Sequence, residues 1–124
     1  MRSLAAITAF VLLSTFAFAQ EASVEGTWRD EYGTAFAISL CGDGHQLCAV
    51  LLDVQGKSRT EENLAYVGKQ VIQAAETAPN RWEGTVIFNG SEAKGIVTQV
   101  SDNTIEIEGC RGILCNTLAF NRVE

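Results

Sequence analysis

Short apolar runs rich in Val, Ile, Phe, Trp and Thr recur between clusters of Gly, Asn, Asp and Ser along nearly the whole chain beyond residue 24. Runs of this length, punctuated this often, cannot bury themselves as helices and read as strands of an all-β sandwich or barrel. The pattern predicts strands near 25–32, 34–41, 46–54, 69–75, 81–88, 91–100, 103–110 and 115–123. Asn89-Gly90 is the sharpest turn signal, a type I′ pair that makes Phe88 and Ser91 neighbours. Counting back from it sets Val86 against Ala93 and Trp82 against Val97.

The four cysteines fall in two close pairs, Cys41 with Cys48 and Cys110 with Cys115, each separated by turn-rich sequence. Three disulfide connectivities are formally possible, and the spacing favours the local one, because a hairpin at each site sets its two cysteines opposite one another. If Cys110 opposes Cys115, then Ile107 meets Leu118, Ile105 meets Phe120 and Asn103 meets Arg122. The same logic in the first hairpin sets Phe36, Ile38 and Leu40 against Asp53, Leu51 and Ala49. By alternation both cysteine pairs fall on the face opposite the apolar one. Such short closures contribute about 2 kcal/mol each by the chain-entropy model and act as hairpin staples. A zinc site from Cys41, Asp43, His45 and Cys48 is the competing reading, but Cys-x6-Cys is not a zinc-knuckle spacing.

Residues 54–68 interrupt the strand rhythm with a polar loop and a possible short helix near 60–67, started by Thr60 with Glu61 and Glu62 in the first turn. A longer helix carrying Leu64, Val67, Val71 and Ala75 on one face is the alternative to the fourth strand. Residues 74–80, with the single Pro79, read as a plain loop. Eight antiparallel strands joined by short turns are expected to close into an up-and-down barrel, which removes exposed edges; a two-sheet sandwich is the alternative. The chain is read as one domain.

Residues 1–19 read as a secretory signal: Arg2 supplies the basic region, 4–18 is nearly all apolar, and Ala17-Phe18-Ala19 gives the cleavage pattern. The mature domain is then 20–124, soluble, without an integral membrane anchor. That apolar run is shorter than the roughly 20 residues a bilayer requires, and no cysteine stands at the cleavage point to carry lipid. Export to a periplasmic or extracellular space suits paired cysteines. The full chain carries 9 basic and 15 acidic residues, net −6. Loss of Arg2 makes it more acidic still, which disfavours nucleic acid and anionic membrane as partners.

Catalysis requires titratable groups that converge, yet His45 is the only histidine and sits in a turn sequence. No nucleophile elbow, phosphate loop or metal-binding helix motif is present in the sequence. The chain is therefore read as a non-enzyme without cofactor or metal. Asp30, Asp53 and Glu83 are carboxylates on predicted strands; Asp53 shares a face with Phe36 and Leu51, which requires a barrel rim or a partner for its charge. Trp28 and Arg122 become neighbours if the first and last strands pair, and Arg122 then covers the Trp28 ring as a structural seal.

Trp28, Phe36, Ile38, Leu40, Leu51, Trp82, Val86, Phe88, Ile105, Ile107, Leu118 and Phe120 are the expected inward residues. Gly84, Ala93 and Gly95 leave room among them for a small apolar ligand near Trp82 and Val86. Val50, Leu52 and Val54 form an outward apolar stripe.

The pieces G-T-W at 26–28, C-G-D-G-H-Q-L-C-A-V-L-L at 41–52, R-W-E-G at 81–84, I-E-I-E-G-C-R-G-I-L-C at 105–115 and N-R-V at 121–123 span nearly all of the predicted mature domain. In that order they resemble the small exported bacterial proteins of domain-of-unknown-function family 2147. The resemblance implies a lipocalin- or avidin-like barrel and brings no biochemical activity. Two regions depart from it: V-Q-G-K-S-R-T-E-E-N-L-A-Y-V-G at 54–68 and F-N-G-S-E-A-K-G at 88–95 stand where related chains carry proline-containing loops. The functional expectation is a non-enzymatic barrel binding a small apolar or amphipathic ligand. The alternatives are a protein-binding module, such as a protease inhibitor, and a structural envelope protein with a filled barrel.

Overall fold

The computed structural model describes residues 22–123. Eight strands follow in chain order: β1 (Gly26–Arg29), β2 (Ala35–Cys41), β3 (Gln46–Asp53), β4 (Gln70–Ala78), β5 (Arg81–Phe88), β6 (Ser91–Ser101), β7 (Thr104–Arg111) and β8 (Leu114–Val123). Each pairs antiparallel with its neighbour in sequence, and β1 also pairs with β8, so the sheet closes as an up-and-down barrel. That closure decides against the sandwich. The expected signal sequence and its cleavage point lie outside the described residues.

The β5–β6 hairpin has the register that its turn dictates, with Phe88 opposite Ser91, Val86 opposite Ala93 and Trp82 opposite Val97. Asn89 and Gly90 both adopt positive φ, 48° and 77°, as a type I′ turn demands. In the β7–β8 hairpin Cys110 faces Cys115, Ile107 faces Leu118 and Ile105 faces Phe120. Disulfides join Cys41 to Cys48 and Cys110 to Cys115, one at each end of the barrel.

The first hairpin differs from expectation by two residues. Phe36 pairs with Leu51, Ile38 with Ala49 and Leu40 with Leu47, while Cys41 faces Gln46 and Cys48 faces Ser39. The turn is tighter than the cysteine spacing implies. Gly42 and Gly44 take φ of 62° and 92°, the Gly44 N–H donates to the Cys41 carbonyl at 3.0 Å, and the Asp43 carboxylate accepts from the His45 N–H at 3.0 Å. Four residues therefore close the turn, and the disulfide spans the pair diagonally at a Cα separation of 6.0 Å. A slip of two preserves which side chains point inward, so the apolar face is as expected.

Two other boundaries move. β4 runs on to Ala78, through much of the segment read as a loop, and pairs there with Arg81. β1 ends at Arg29 because Asp30 folds the chain back: its carboxylate accepts from the N–H groups of Tyr32 at 3.0 Å and Thr34 at 2.8 Å. Between β3 and β4 lie a 3-10 turn and a single α-turn, α1 (Glu61–Leu64), capped by the Thr60 hydroxyl, which accepts from the Asn63 N–H at 3.1 Å. The helix is thus shorter than 60–67, and Val71 belongs to a strand.

Trp28, Leu47, Ile72, Val97 and Ile105 form the most deeply buried part of the core. Leu40 is only partly buried against it, and Val54, expected on the outward stripe, is instead packed inside. Leu118 shares a strand face with buried Phe120 but is 36% exposed, a consequence of the open corner described below. The expectation for the Phe88 side chain lies outside what the structure describes.

Candidate functional site

The two ends of the barrel differ. At one end Ala22–Glu25 crosses the strands as a plug, held chiefly by Arg122 on β8. The Arg122 guanidinium donates to the carbonyls of Ser23 at 2.6 Å, Glu25 at 2.8 Å and Asp102 at 3.0 Å. Its central carbon also lies 4.3 Å from the centroid of the Trp28 ring. The Trp28 indole N–H donates to the Val24 carbonyl at 2.9 Å, and the buried Gln99 side chain donates to the Ala22 carbonyl at 2.8 Å. Ala22 N–H in turn donates to the Asp102 carboxylate at 2.9 Å. Arginine suits this place because its planar fork reaches several carbonyls at once while its face lies on an aromatic ring. The seal joins residues 97 and 99 positions apart, so only the Trp28–Arg122 part of it was visible from sequence.

Near the other end the barrel wall has an open corner. β1 pairs with β8 only at Asn121–Val123, because the Asp30 bend takes the chain away into β2. Among the described residues, 114–119 of β8 consequently have β7 on one side and no strand on the other, and all six are exposed. Beside this corner lies a cleft of about 440 Å³ lined by Arg29, Asp30, Glu31, Tyr32, Leu118, Ala119, Asn121, Arg122 and Val123. Tyr32, 58% exposed, and Leu118 give it apolar surface. Hydrogen bonding of the Tyr32 phenol to Glu31, with the charge of that carboxylate, raises its pKa above the ordinary tyrosine value. Arg29 is 3.7 Å from Asp53.

Asp53 is at the rim, as its charge requires. Its carboxylate accepts from the Gln55 amide at 2.9 and 3.1 Å, and that hydrogen bond, with help from Arg29, holds its pKa below the usual aspartate value. Asp30 serves the bend, and Glu83 lies 3.8 Å from Arg81 on the same strand. His45 is exposed, 3.7 Å from Glu76.

The five residues expected to line an interior ligand site are packed into the wall and core. Trp82, Val86 and Ala93 are buried, and the Trp82 indole donates to the His45 carbonyl at 3.2 Å. A Cβ on Gly84 would come within 2.1 Å of the Gln73 carbonyl oxygen, and one on Gly95 within 3.2 Å of the Val86 Cβ. The space freed by these glycines is therefore taken by the neighbouring strand and by Val86. None of the five lines the corner cleft, nor the groove between α1 and the Asn89-Gly90 turn formed by Glu62, Ala65, Tyr66, Lys69, Asn89 and Gly90.

Glu108 lies beside Cys110 and Cys115, but both sulfurs are committed to the disulfide, which removes the thiolates a metal requires. Cys41 and Cys48 are likewise joined, so the four-ligand zinc reading of that turn does not hold. No protein-family model, curated protein or solved structure matches the chain.

Proposed function

We propose that the protein is a non-enzymatic binding barrel of an oxidising compartment, taking a small amphipathic molecule in the corner cleft between the Asp30 bend and β8. The observation that carries this reading is the cleft itself, about 440 Å³ and bordered by Tyr32, Leu118, Arg29 and Asn121. That volume falls within the range of small-molecule sites, and a mixture of apolar surface with few polar groups suits an amphipathic ligand. The paired cysteines support an oxidising location. Packing at Gly84 and Gly95 favours the cleft over the barrel interior as the binding place.

The test is a titration of the folded domain with a single-chain fatty acid such as decanoate, followed by amide and side-chain NMR shifts. Shifts centred on Tyr32, Leu118 and Asn121, abolished by Leu118→Arg, support the reading. Shifts centred on Trp82 and Val86, or saturable binding that Leu118→Arg leaves unchanged, would overturn it.

A further inference from the structure

We propose that β8 is also a self-association surface, pairing antiparallel with β8 of a second copy of this chain across a two-fold axis at Asn116. The Arg122 N–H donates to the Asn103 carbonyl on the β7 side at 2.9 Å. Backbone groups alternate along a strand, so those of Phe120, Leu118, Asn116 and Leu114 also point to β7, and those of Ala119, Thr117 and Cys115 point to the vacant side. The 4.1 Å Cα separation of Cys110 and Cys115 agrees, being that of a pair not hydrogen-bonded to each other.

An open edge of this kind is a template for another strand. Its extent is fixed by the Gly112–Ile113 turn at one end and by β1, which meets β8 at Asn121, at the other. A two-fold axis at Asn116 pairs Cys115 with Thr117, Leu114 with Leu118 and Ile113 with Ala119. Leu114 and Ile113, exposed by 74% and 98%, then meet apolar partners, whereas an axis at Thr117 sets Leu118 against Asn116. The apolar match across the two-fold axis and the length of open edge select a second copy of the chain as the occupant. Seven residues a side is well below the roughly 20–30 of a standard interface, so the dimer forms and dissociates with concentration.

Sedimentation equilibrium of the folded domain from about 10 μM to about 1 mM tests this, a range suited to a small interface. The mass of the parent protein is expected to rise toward that of a dimer. Thr117→Pro removes an N–H that only the second copy uses, and is expected to weaken association at least about tenfold, two lost bonds per dimer. Thr117→Ala retains the N–H and is expected to dimerise like the parent. A parent monomeric throughout, or a folded Thr117→Pro that dimerises equally, would overturn the proposal.

Should Thr117→Pro fail to fold, Asn116→Cys decides. Its two copies lie at a non-hydrogen-bonded position about 4.5 Å apart, within disulfide reach. A covalent dimer from Asn116→Cys but not from exposed Val100→Cys supports the register; equal crosslinking of both, or of neither, rejects it. Thr117 does not line the cleft, whereas Leu118 and Ala119 of the same edge do, so ligand binding is measured at a concentration where the parent is monomeric; there, loss of dimer with ligand binding intact, or the reverse, shows which of the two readings has failed.

Discussion

Replacing Arg122 by Ala removes three hydrogen bonds to carbonyls, at 2.6, 2.8 and 3.0 Å, together with the contact over the Trp28 ring. The acceptors are near water, which replaces much of what is lost, so each bond is worth about 0.5–1 kcal/mol, toward the lower part of the usual range. The ring contact adds about 1 kcal/mol. The expected cost of Arg122→Ala is therefore about 3 kcal/mol. Arg122→Lys keeps a cation for the ring and for one carbonyl but not the fork, and should cost about 1–2 kcal/mol. With a urea dependence near 1.5 kcal/mol per molar for a small domain, these correspond to midpoint shifts of about 2 M and about 1 M. Urea unfolding followed by tryptophan fluorescence, with disulfides intact, measures both. Exchange of the indole N–H groups adds a local readout, because loosening the plug frees the Trp28 donor at Val24 and leaves the Trp82 donor at His45 in place. An Ala variant costing under 1 kcal/mol, a Lys variant as damaging as Ala, or equal loss of protection at both indoles would refute the account of the plug.

Gly84→Ala is expected to cost about 2–3 kcal/mol, because the added methyl would come within 2.1 Å of β4 backbone that cannot step aside, whereas at Gly95 the nearest atoms, the Val86 Cβ at 3.2 Å and backbone nitrogen at 3.4 Å, need give only slightly and the cost should be about 1 kcal/mol; equal shifts in thermal midpoint would contradict the packing argument. Replacing Cys110 and Cys115 together by Ser should cost about 2 kcal/mol and leave the barrel folded, with lost hydrogen-exchange protection confined to the tip of β7–β8; global unfolding would show that this bridge is more than a local staple. The Asp53 pKa is lowered in the folded state, so the stability it contributes is complete above the ordinary aspartate range and is lost as pH falls through the lowered value. In a carboxyl NMR titration Gln55→Ala should raise that pKa toward the ordinary value; an Asp53 that titrates identically with and without Gln55 would remove the assigned cause.

Local chemistry was legible in the sequence wherever a turn and its flanking residues determine one another. Asn89-Gly90 dictated an entire hairpin, and the Cys110–Cys115 spacing did the same for the last one, since in both the paired residues flank the turn directly. The first hairpin was harder because two registers differing by two residues bury the same side chains, and the choice rests on the Asp43 side chain and two left-handed glycines. β1 read as longer because Asp30 resembles any polar strand residue until its carboxylate is seen turning the chain. That one bend opens the corner, so the cleft and the bare edge of β8 followed from a residue whose role had no periodic signature. What fills the place of an absent side chain is likewise not written in the sequence; at Gly84 it is the adjacent backbone.

Every strand pair but one joins neighbours in sequence and can form as a local hairpin. The exception, β1 with β8, closes a loop of nearly the whole domain, and the Arg122 bonds to Ser23 and Glu25 span 99 and 97 positions. Long-range closure of this sort carries the largest entropy cost and comes late in folding. In synthesis from the N-terminus the plug must wait for Arg122 on β8, so a sealed ring reports that both edges of the β1–β8 seam have been made. A chain that stopped before Arg122 could still form its hairpins but would keep a single pair of the β1–β8 seam, Arg29 with Asn121, and none of the guanidinium bonds that hold the plug.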